Sequence, residues 1–467
     1  MTPDVSDLTA LTACDLLDAY ASRALSPVEV VEATLARIDE LDGPINAFVT
    51  LTPERALADA RRAEAAYTAG DAPPLAGVPY TLKDLLDAEG IPTGHGSPLF
   101  RDPAPAADAP VAARLRAGAL LGKTTTPERG WKGDSGNTLN GACHNPWRHG
   151  RTAGGSSGGA AAAAAAGFGP LHQGSDGAGS IRIPAGFCGV VGHKPSYGLV
   201  PNPPAANMSI SHIGPIARTV EDAALLLDAM AGPHPLDRLS VPAPVASFRA
   251  ALAEPPPPLR IGLSTDLGYA AVEPAVVEVV RVAARAFADA GHSVEEADLR
   301  LEDPWPIEDE IWLGMFAADL ADRTDGRPID ALEGLSPGLR TIVERGATRT
   351  AADLAGAFNA RTRWCATLAD RLAPYALLLT PTLPCVAFPA GDDAPEAVAG
   401  SPVSYLSWTA FTYPFNLSGQ PAATVPCGLV DGLPVGLQIV GRRLDDALVL
   451  RAARLFEEAR PFRLPPL

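Results

Sequence analysis

"GGSSGGAAAAAAAGFGPLHQGSDGAGSIRIPAG", residues 154–186, is the most informative segment of this chain. Gly/Ser-rich tracts are usually flexible spacers, so a linker is the simplest interpretation. The seven consecutive alanines oppose it, because alanine has the highest helix propensity and the glycine that follows is a common helix end. The segment therefore predicts a glycine-rich loop, rich in unpaired N–H groups, that opens a closely packed helix.

The second part of the segment, residues 174–186, predicts a site for an oxyanion. Ser180 follows a run of small residues and precedes what we interpret as the start of an apolar strand. Small side chains leave successive backbone N–H groups accessible, and an oxyanion hole requires such groups. We therefore interpret residues 154–186 as a place of chemistry and reject the linker.

The flanking sequence predicts strands that alternate with helices. Residues 26–43 have a capping box and helical spacing of apolar residues, and residues 78–82 form a buried strand that ends at Lys83. A proline run at 255–258 leads into a further strand–helix–strand unit. We therefore expect an α/β fold, with a mixed, mostly parallel β-sheet covered by helices on both faces.

The same pattern predicts one large domain over residues 1–467, because strands of similar texture lie on both sides of the proline run. Residues 1–70 are expected to form a helical segment packed on this domain. Residues 75–235 are expected to form the core that carries the site, and residues 255–467 the rest of the sheet and a cap that lines the pocket.

Composition limits the function classes. Apolar residues make up 47% of the 467 residues, which suits a large core, and the net charge of −17 argues against a nucleic-acid partner. The six cysteines include no Cys-x-x-Cys pair, which favours reduced thiols. The sequence shows neither a signal peptide nor an apolar run of membrane-spanning length, so we expect a cytoplasmic protein without a membrane partner.

Three other motifs do not support a site. "GALLGKTT" at 118–125 has three residues where a phosphate-binding loop needs four. "GGSSG" matches the Gly-x-Ser-x-Gly elbow, but it follows a poor strand, and the downstream histidines lie in no evident catalytic setting. The histidines have no partners at ligand spacing, so we expect no metal and no cofactor.

Most of the chain resembles the amidase signature family. The resemblance rests on "LSPVEVVEATLARIDELDGPINAFV" (25–49), "LAGVPYTLKDLLD" (75–87), "GKTTTPE" (122–128), "GGSSGG" (154–159), "GSDGAGSIRIPAGFCGVVGHKPS" (174–196), "QPAATVP" (420–426) and "GLPVGLQIVG" (432–441). The two glycine-serine motifs with the upstream lysine are highly specific. The opening and closing segments are less specific, but they occur in the family's order.

The resemblance implies a Ser-cisSer-Lys triad. Ser180 matches the nucleophile, Ser156 the bridging serine that follows a cis peptide bond, and Lys83 the base. The chemistry is consistent, because a serine hydroxyl needs a neighbour to take its proton, and lysine can do so only when burial or nearby cations lower its pKa.

The resemblance also assigns the surroundings of the triad. The N–H groups of Gly177, Ala178, Gly179 and Ser180 are expected to bind the oxyanion. Asp176 and Arg182 are expected to support the loop. Ala178 stands where the family often has glycine, which narrows the permitted backbone angles there.

Five further residues are candidates for the substrate pocket. Arg129 and Lys132 lie in a loop that lines the pocket by resemblance, and we hypothesise that they meet a substrate carboxylate; the alternative is a solvated loop offset by Asp134. Trp131, Trp408 and Phe411 are further pocket candidates, although aromatic residues of this kind often belong to a core.

The expected function is hydrolysis of linear carboxamides, carbon–nitrogen bonds other than peptide bonds, through a Ser180 acyl-enzyme. The expected partner is a small-molecule amide substrate. Two alternatives stay open: an A-type subunit of glutamyl-tRNA amidotransferase, and an enzyme for esters or cyclic, nylon-type amides. Ile183 stands where that A-type subunit usually has glutamine. The oligomeric state is open, and a homodimer is common in the family.

Overall fold

A computed structural model describes residues 5–100, 104–203, 209–329 and 332–467, without the side chains of residues 5–7. Its strands are β1 (Phe48–Leu51), β2 (Pro79–Lys83), β3 (Ala119–Thr124), β4 (His144–Asn145), β5 (Arg148–Thr152), β6 (Leu171–Asp176), β7 (Val191–Lys194), β8 (His212–Ala217), β9 (Arg260–Leu263), β10 (Ser293–Glu296), β11 (Leu377–Pro381), β12 (Ala397–Val398), β13 (Ser401–Pro402), β14 (Ala422–Val430) and β15 (Leu433–Val440). Its helices are α1 (Val5–Ala10), α2 (Ala13–Ala21), α3 (Pro27–Ile45), α4 (Pro53–Ala69), α5 (Pro110–Arg114), α6 (Gly158–Ala166), α7 (Arg182–Cys188), α8 (Val220–Met230), α9 (Phe248–Ala251), α10 (Pro274–Asp289), α11 (Trp305–Arg323), α12 (Pro337–Ala347), α13 (Ala351–Leu372), α14 (Tyr413–Leu417) and α15 (Asp446–Ala459).

Eleven strands form one central sheet in the order β1-β3-β2-β6-β8-β7-β14-β15-β11-β9-β10. Strands from both halves of the chain meet where β7 pairs with β14. The α/β fold with a mixed sheet is therefore confirmed. The expectation of a mostly parallel sheet is wrong, because only β2–β3, β2–β6, β9–β10 and β9–β11 are parallel pairs among the described strands.

Helices cover both faces of the sheet, as β3 illustrates. Leu120 belongs to a core cluster that includes residues of α8, α10 and α15, whereas Ala119 and Leu121 belong to a cluster that includes α3 and α6. Alternate residues of a strand point to opposite faces, so the two clusters lie on the two sides of the sheet. No described helix has the length and apolar character needed to cross a membrane.

The alanine tract forms the predicted helix. All nine residues of α6 are buried, and the helix ends at Gly167, whose φ of 76° is a conformation that glycine adopts easily. Alanines on every side allow α6 to pack closely against α7 and β6. This packing fixes the glycine-serine loop that precedes the helix.

Two local predictions need correction. Residues 182–188 form the short helix α7, where the sequence suggested the start of a strand. Pro184 falls in the first turn of α7, where the missing N–H would have no helical partner in any case. Residues 48–51, in the segment expected to be helical, form the edge strand β1, which pairs antiparallel with β3.

Candidate active site

Three neighbouring segments bring the predicted triad to one cavity. Lys83 is the last residue of β2, Ser156 precedes α6, and Ser180 lies in the loop between β6 and α7. The two loops are bonded to each other, because the N–H of Ser157 donates to the carbonyl of Ser180 at 3.1 Å. All three triad residues line one cavity of about 180 Å³.

Lys83 lies at the buried end of this cavity. Its Nζ donates to Ser156 Oγ at 2.6 Å and to Ser175 Oγ at 3.0 Å, and its backbone N–H donates to Gln173 Oε1 at 3.0 Å. The side chain of Lys83 is wholly inaccessible. Neither Ser175 nor Gln173 is among the predicted site residues, although both lie in β6 close to the glycine-rich motif.

The environment of Lys83 favours the neutral amine. Burial lowers the pKa of Lys83 to about 7, and the negative charge of Asp176 opposes this shift. Asp84, the next residue, does not add a second carboxylate, because its side chain pairs with Lys123 Nζ at 3.3 Å. A lysine with a pKa near neutrality can accept a proton at physiological pH.

Ser156 accepts the hydrogen bond from Lys83 and lies between Lys83 and the loop that carries Ser180. The Gly155–Ser156 peptide bond is cis, as the resemblance implies. Ser156 and Ser180 line the same cavity, but no direct hydrogen bond between their hydroxyl groups is present. Such catalytic contacts are often long without substrate and shorten when it binds.

Asp176 and Arg182 hold the loop that carries Ser180. Arg182 donates to both carboxylate oxygens of Asp176, at 2.9 Å each, and both side chains are fully buried. Arg182 also donates to Gln438 Oε1 at 2.8 Å and to Asn416 Oδ1 at 2.6 Å. The loop is therefore tied to β15 and α14, which come from the second half of the chain.

The same carboxylate changes the predicted oxyanion hole. The N–H of Gly179 donates to Asp176 Oδ1 at 2.8 Å, so this group already has an acceptor. Within the described residues, the N–H groups of Gly177, Ala178 and Ser180 have no such acceptor. Gly177 and Ser180 line the cavity. These three N–H groups are therefore the remaining candidates for binding an oxyanion.

The cavity wall opposite the triad comes from α11. Trp312, Met315 and Phe316 supply apolar surface, and Asp319 and Arg323 lie one and two turns further along the helix. Trp312 lies so close to Gly177 that a Cβ there would be 3.0 Å from the indole ring. The pattern of α11 is that of any amphipathic helix, so no local signal in the sequence marks Asp319 or Arg323.

Of the five predicted pocket residues, Arg129 alone lines this cavity. Its guanidinium donates to both oxygens of Asp319 at 2.8 Å and contacts His95 Nδ1 at 2.7 Å. Gly130, the next residue, lies against Ser156. Arg129 is therefore anchored to α11 and is not part of a solvated loop.

Lys132 and Trp131 do not line this cavity, contrary to the prediction. Lys132 and Trp131 line a separate cavity. Lys132 Nζ donates to Asp393 at 2.7 Å and lies 3.4 Å from Asp134. Lys132 is therefore neutralised by two carboxylates. The side chains of successive residues in this loop diverge, so proximity to Arg129 in sequence did not place them together.

Trp408 and Phe411 belong to the core, which also corrects the prediction. Trp408 is 1% exposed and stacks on Phe187 with ring centroids 5.9 Å apart, and Phe411 is fully buried in another cluster. Apolar packing explains both residues without a ligand. Among the described residues, no three His, Cys, Asp or Glu side chains are grouped so that they could hold a metal ion.

Comparison with known proteins agrees with this geometry. Residues 29–450 match the Amidase family. The chain is 40% identical over 461 residues to an acylamidase from Rhodococcus erythropolis, covering 97% of this chain and 96% of the relative. It is 37% identical over 478 residues to the A-type subunit of glutamyl-tRNA(Gln) amidotransferase from Moorella thermoacetica, covering 97% of each.

Among solved structures, a bacterial aryl acylamidase of the amidase signature family superposes with a TM-score of 0.91 at 32% identity. The superposition covers 97% of this chain and 96% of that structure. Sequence, fold and the match over nearly the whole length agree. The chain therefore belongs to the amidase signature family, whose members hydrolyse amides.

Proposed function

We propose that this protein hydrolyses linear N-acyl amides, with N-acyl arylamines as the first substrate class to test. The observation that carries the proposal is the 2.6 Å hydrogen bond between Lys83 Nζ and Ser156 Oγ inside a fully buried environment. It couples a lysine with a pKa of about 7 to a hydroxyl group that shares a cavity with Ser180.

In the proposed reaction, neutral Lys83 takes a proton from Ser156 as Ser156 takes the proton of Ser180. The Ser180 oxygen attacks the amide carbonyl, and the backbone N–H groups of Gly177, Ala178 and Ser180 stabilise the oxyanion. The proton returns through Ser156 to the leaving nitrogen, so the C–N bond breaks and the amine departs. Water, deprotonated by the same route, then releases the carboxylic acid and restores Ser180.

Two features favour an arylamide. The relatives include an acylamidase and an aryl acylamidase, and this chain is similar to both. Trp312 and Phe316 provide aromatic surface beside the triad, against which an aryl ring can stack. Assays with esters and with cyclic amides test the alternative that the enzyme acts on one of those substrate classes.

The test is release of aniline from butyranilide, together with labelling of the nucleophile by a fluorophosphonate and peptide mapping. We expect turnover, and a label on Ser180 that is lost in Ser180→Ala and Lys83→Ala. Ser211→Ala removes another serine of the same cavity and serves as the matched control, which should keep the label on Ser180. A label on any other residue would refute the assigned nucleophile.

A second candidate is the A-type subunit of a glutamyl-tRNA amidotransferase, because this chain is 37% identical to one over nearly its whole length. This function needs a partner that binds tRNA. Ammonia release from glutamine, with no turnover of butyranilide by the isolated chain, would favour the second candidate. Turnover of anilides by the isolated chain would favour the first.

A further inference from the structure

The cavity is also lined by a cluster of three charged side chains that the proposed reaction does not use. We call Arg129, Asp319 and Arg323 the arginine cluster. Asp319 Oδ2 accepts from Arg129 Nε at 2.8 Å, and Asp319 Oδ1 accepts from Arg129 Nη2 at 2.8 Å and from Arg323 Nε at 3.0 Å. All three residues line the cavity that contains Ser180.

The arginine cluster carries more positive than negative charge. One carboxylate faces two guanidinium groups, so one positive charge is not compensated within the cluster. Burial next to Arg129 keeps the pKa of the neighbouring His95 well below its usual value, so its ring is neutral and neither adds to this charge nor cancels it. The cavity therefore combines apolar walls with an arginine cluster whose own charges sum to one positive charge, and Asp87 is a further carboxylate that acts on Arg129.

The donors of Arg323 are the ones available to a ligand. Both oxygens of Asp319 already accept from arginines, and Arg323 uses only its Nε for this contact. Within the described part of the chain, Arg323 Nη1 and Nη2 have no protein acceptor. The side chain is one-third exposed, at 33%, so it lies at the outer end of the cavity while Lys83 lies at the buried end.

Arg129 is fixed in position by its backbone as well as by its partners. Its φ of 53° and ψ of 10° are left-handed values that non-glycine residues seldom adopt. The adjacent Gly130 lies beside Ser156, since a Cβ at Gly130 would be 3.1 Å from Ser156 Oγ. The loop that carries Arg129 is therefore packed beside the segment that carries Ser156.

We propose that this enzyme prefers amides that carry a carboxylate, which Arg323 binds at the outer end of the cavity while the amide lies at Ser180. A carboxylate matches the paired N–H groups of a guanidinium in geometry and charge. The inference rests on the proposed function, because it describes the substrate of the same site. It adds a class of substrate and a specificity-determining residue, Arg323.

The first experiment compares matched anilides. Glutaranilic acid has a carboxylate at the end of its acyl chain, and pentananilide has a methyl group there. To place the carboxylate on the amine side, 4-butyramidobenzoate is compared with N-(4-methylphenyl)butanamide, which has a methyl group at the same ring position. We expect at least one acidic substrate to exceed its neutral partner in kcat/KM by about tenfold or more, as a charge-assisted hydrogen bond of roughly 1.5–3 kcal/mol implies. The pair in which the acidic substrate is preferred shows whether the carboxylate belongs on the acyl side or on the amine side of the amide.

Variants then assign the preference. In Arg323→Gln the ratio of acidic to neutral kcat/KM should fall about tenfold or more, and Arg323→Lys should recover part of it because it keeps the charge. Arg327→Gln is the matched control, since Arg327 lies four residues further along the chain, beyond the end of α11, is exposed and does not line the cavity. It should leave the ratio unchanged. The ratio should also decrease as sodium chloride is raised.

Binding separates failure of this inference from failure of the proposed function. Ser180→Ala cannot form an acyl-enzyme, so the dissociation constants of glutaranilic acid, 4-butyramidobenzoate and their neutral partners can be measured in it by calorimetry. The inference is supported if an acid binds more tightly than its neutral partner and if adding Arg323→Gln to Ser180→Ala abolishes this difference. This holds even if no anilide is hydrolysed. Equal binding of acidic and neutral compounds, or a preference that Arg323→Gln does not change, overturns it.

Discussion

At the scale of single residues, the proposed role of Lys83 as the base predicts how activity depends on pH. Burial lowers its pKa from 10.5 to about 7, so Lys83 is protonated and unable to act as a base below this pH and neutral above it. We therefore predict that kcat/KM for a neutral anilide rises with pH, is half-maximal near pH 7 and then reaches a plateau. The rate of fluorophosphonate labelling of Ser180 should follow the same curve.

The control for this pH profile is Lys83→Arg, which keeps a positive charge that cannot be lost at accessible pH. It should lower kcat/KM on the plateau above pH 7 by about 10²–10⁴, the usual contribution of a general base, and its profile should show no rise near pH 7. A wild-type profile that is flat between pH 5 and 9, or that rises only near pH 10, would show that Lys83 is not the base.

The sequence allowed the triad to be predicted, but not the whole cavity. Lys83, Ser156 and Ser180 lie in local motifs whose glycines and small residues can be recognised in the sequence. Asp319 and Arg323 lie on a helix more than a hundred residues beyond Ser180, and their meeting with Arg129 depends on how α11 packs. No local pattern encodes such a contact.

At the scale of elements, Asp176 and Arg182 join the loop after β6 to its neighbours. Asp176 accepts from two guanidinium nitrogens and from the backbone N–H of Gly179, with no exposure to solvent. Loss of one partner of a buried pair leaves an uncompensated charge. We predict that Asp176→Asn lowers the free energy of unfolding by about 3–5 kcal/mol, measured by urea denaturation.

The matched control is Asp298→Asn, which breaks an ion pair with Arg300 that is exposed to solvent. Exposed pairs contribute little, so its unfolding midpoint should not change measurably. If both variants had the same midpoint as the unmodified protein, Asp176 would not support the loop.

The start of α6 depends on the absence of a side chain at Gly159. A Cβ at this position would collide with backbone atoms of Thr125 and Ala47, because the helix begins directly against the end of β3 and the residue before β1. We predict that Gly159→Ala lowers the free energy of unfolding by about 1–3 kcal/mol, the usual effect of overpacking. Urea denaturation and the rate of Ser180 labelling would measure the change and its effect on the site.

Gly356 in α13 is the control for this substitution. A Cβ there has open space, and alanine favours a helix over glycine by about 1 kcal/mol, so Gly356→Ala should be neutral or stabilising. If Gly159→Ala behaved like Gly356→Ala, close packing would not explain the glycine. The comparison separates steric contact from helix propensity, which acts in the same direction in both variants.

Elements with strong local signals were predicted best. The alanines of α6 and the apolar run of β2 identify a helix and a strand without knowledge of the fold. The apolar residues that follow Ser180 suggested the start of a strand, but residues 182–188 form α7, where Arg182 is held by Asp176. Tertiary contacts therefore decided the structure of the short segment that follows Ser180.

At the scale of the whole molecule, strand direction could not be derived from element order alone. The alternation of strands and helices favoured parallel pairing, yet β8 enters between β6 and β7 and runs antiparallel to both. β14 and β15 form a hairpin that also pairs antiparallel. Connection lengths and the order of strands across the sheet determine these directions, and neither follows from the periodicity of one segment.

The joining of both halves in one sheet predicts that they unfold together. β7 pairs with β14 at three positions, and Arg182 in the first half donates to Gln438 in the second. Separation would expose strand edges and leave a buried charge without its partners, so neither half is expected to persist alone. We predict one cooperative unit that contains the whole eleven-stranded sheet.

Hydrogen exchange at increasing urea, read by mass spectrometry, measures this cooperativity. Peptides that cover β2 and β15 should reach the same free energy of opening and the same urea dependence, because only global unfolding exposes them. Residues 461–467, which form no regular element, should exchange without that opening and serve as the internal control. A lower opening free energy for β15 than for β2 would mean that the second half unfolds separately, and that the contacts of Arg182 with Gln438 and Asn416 do not couple the halves.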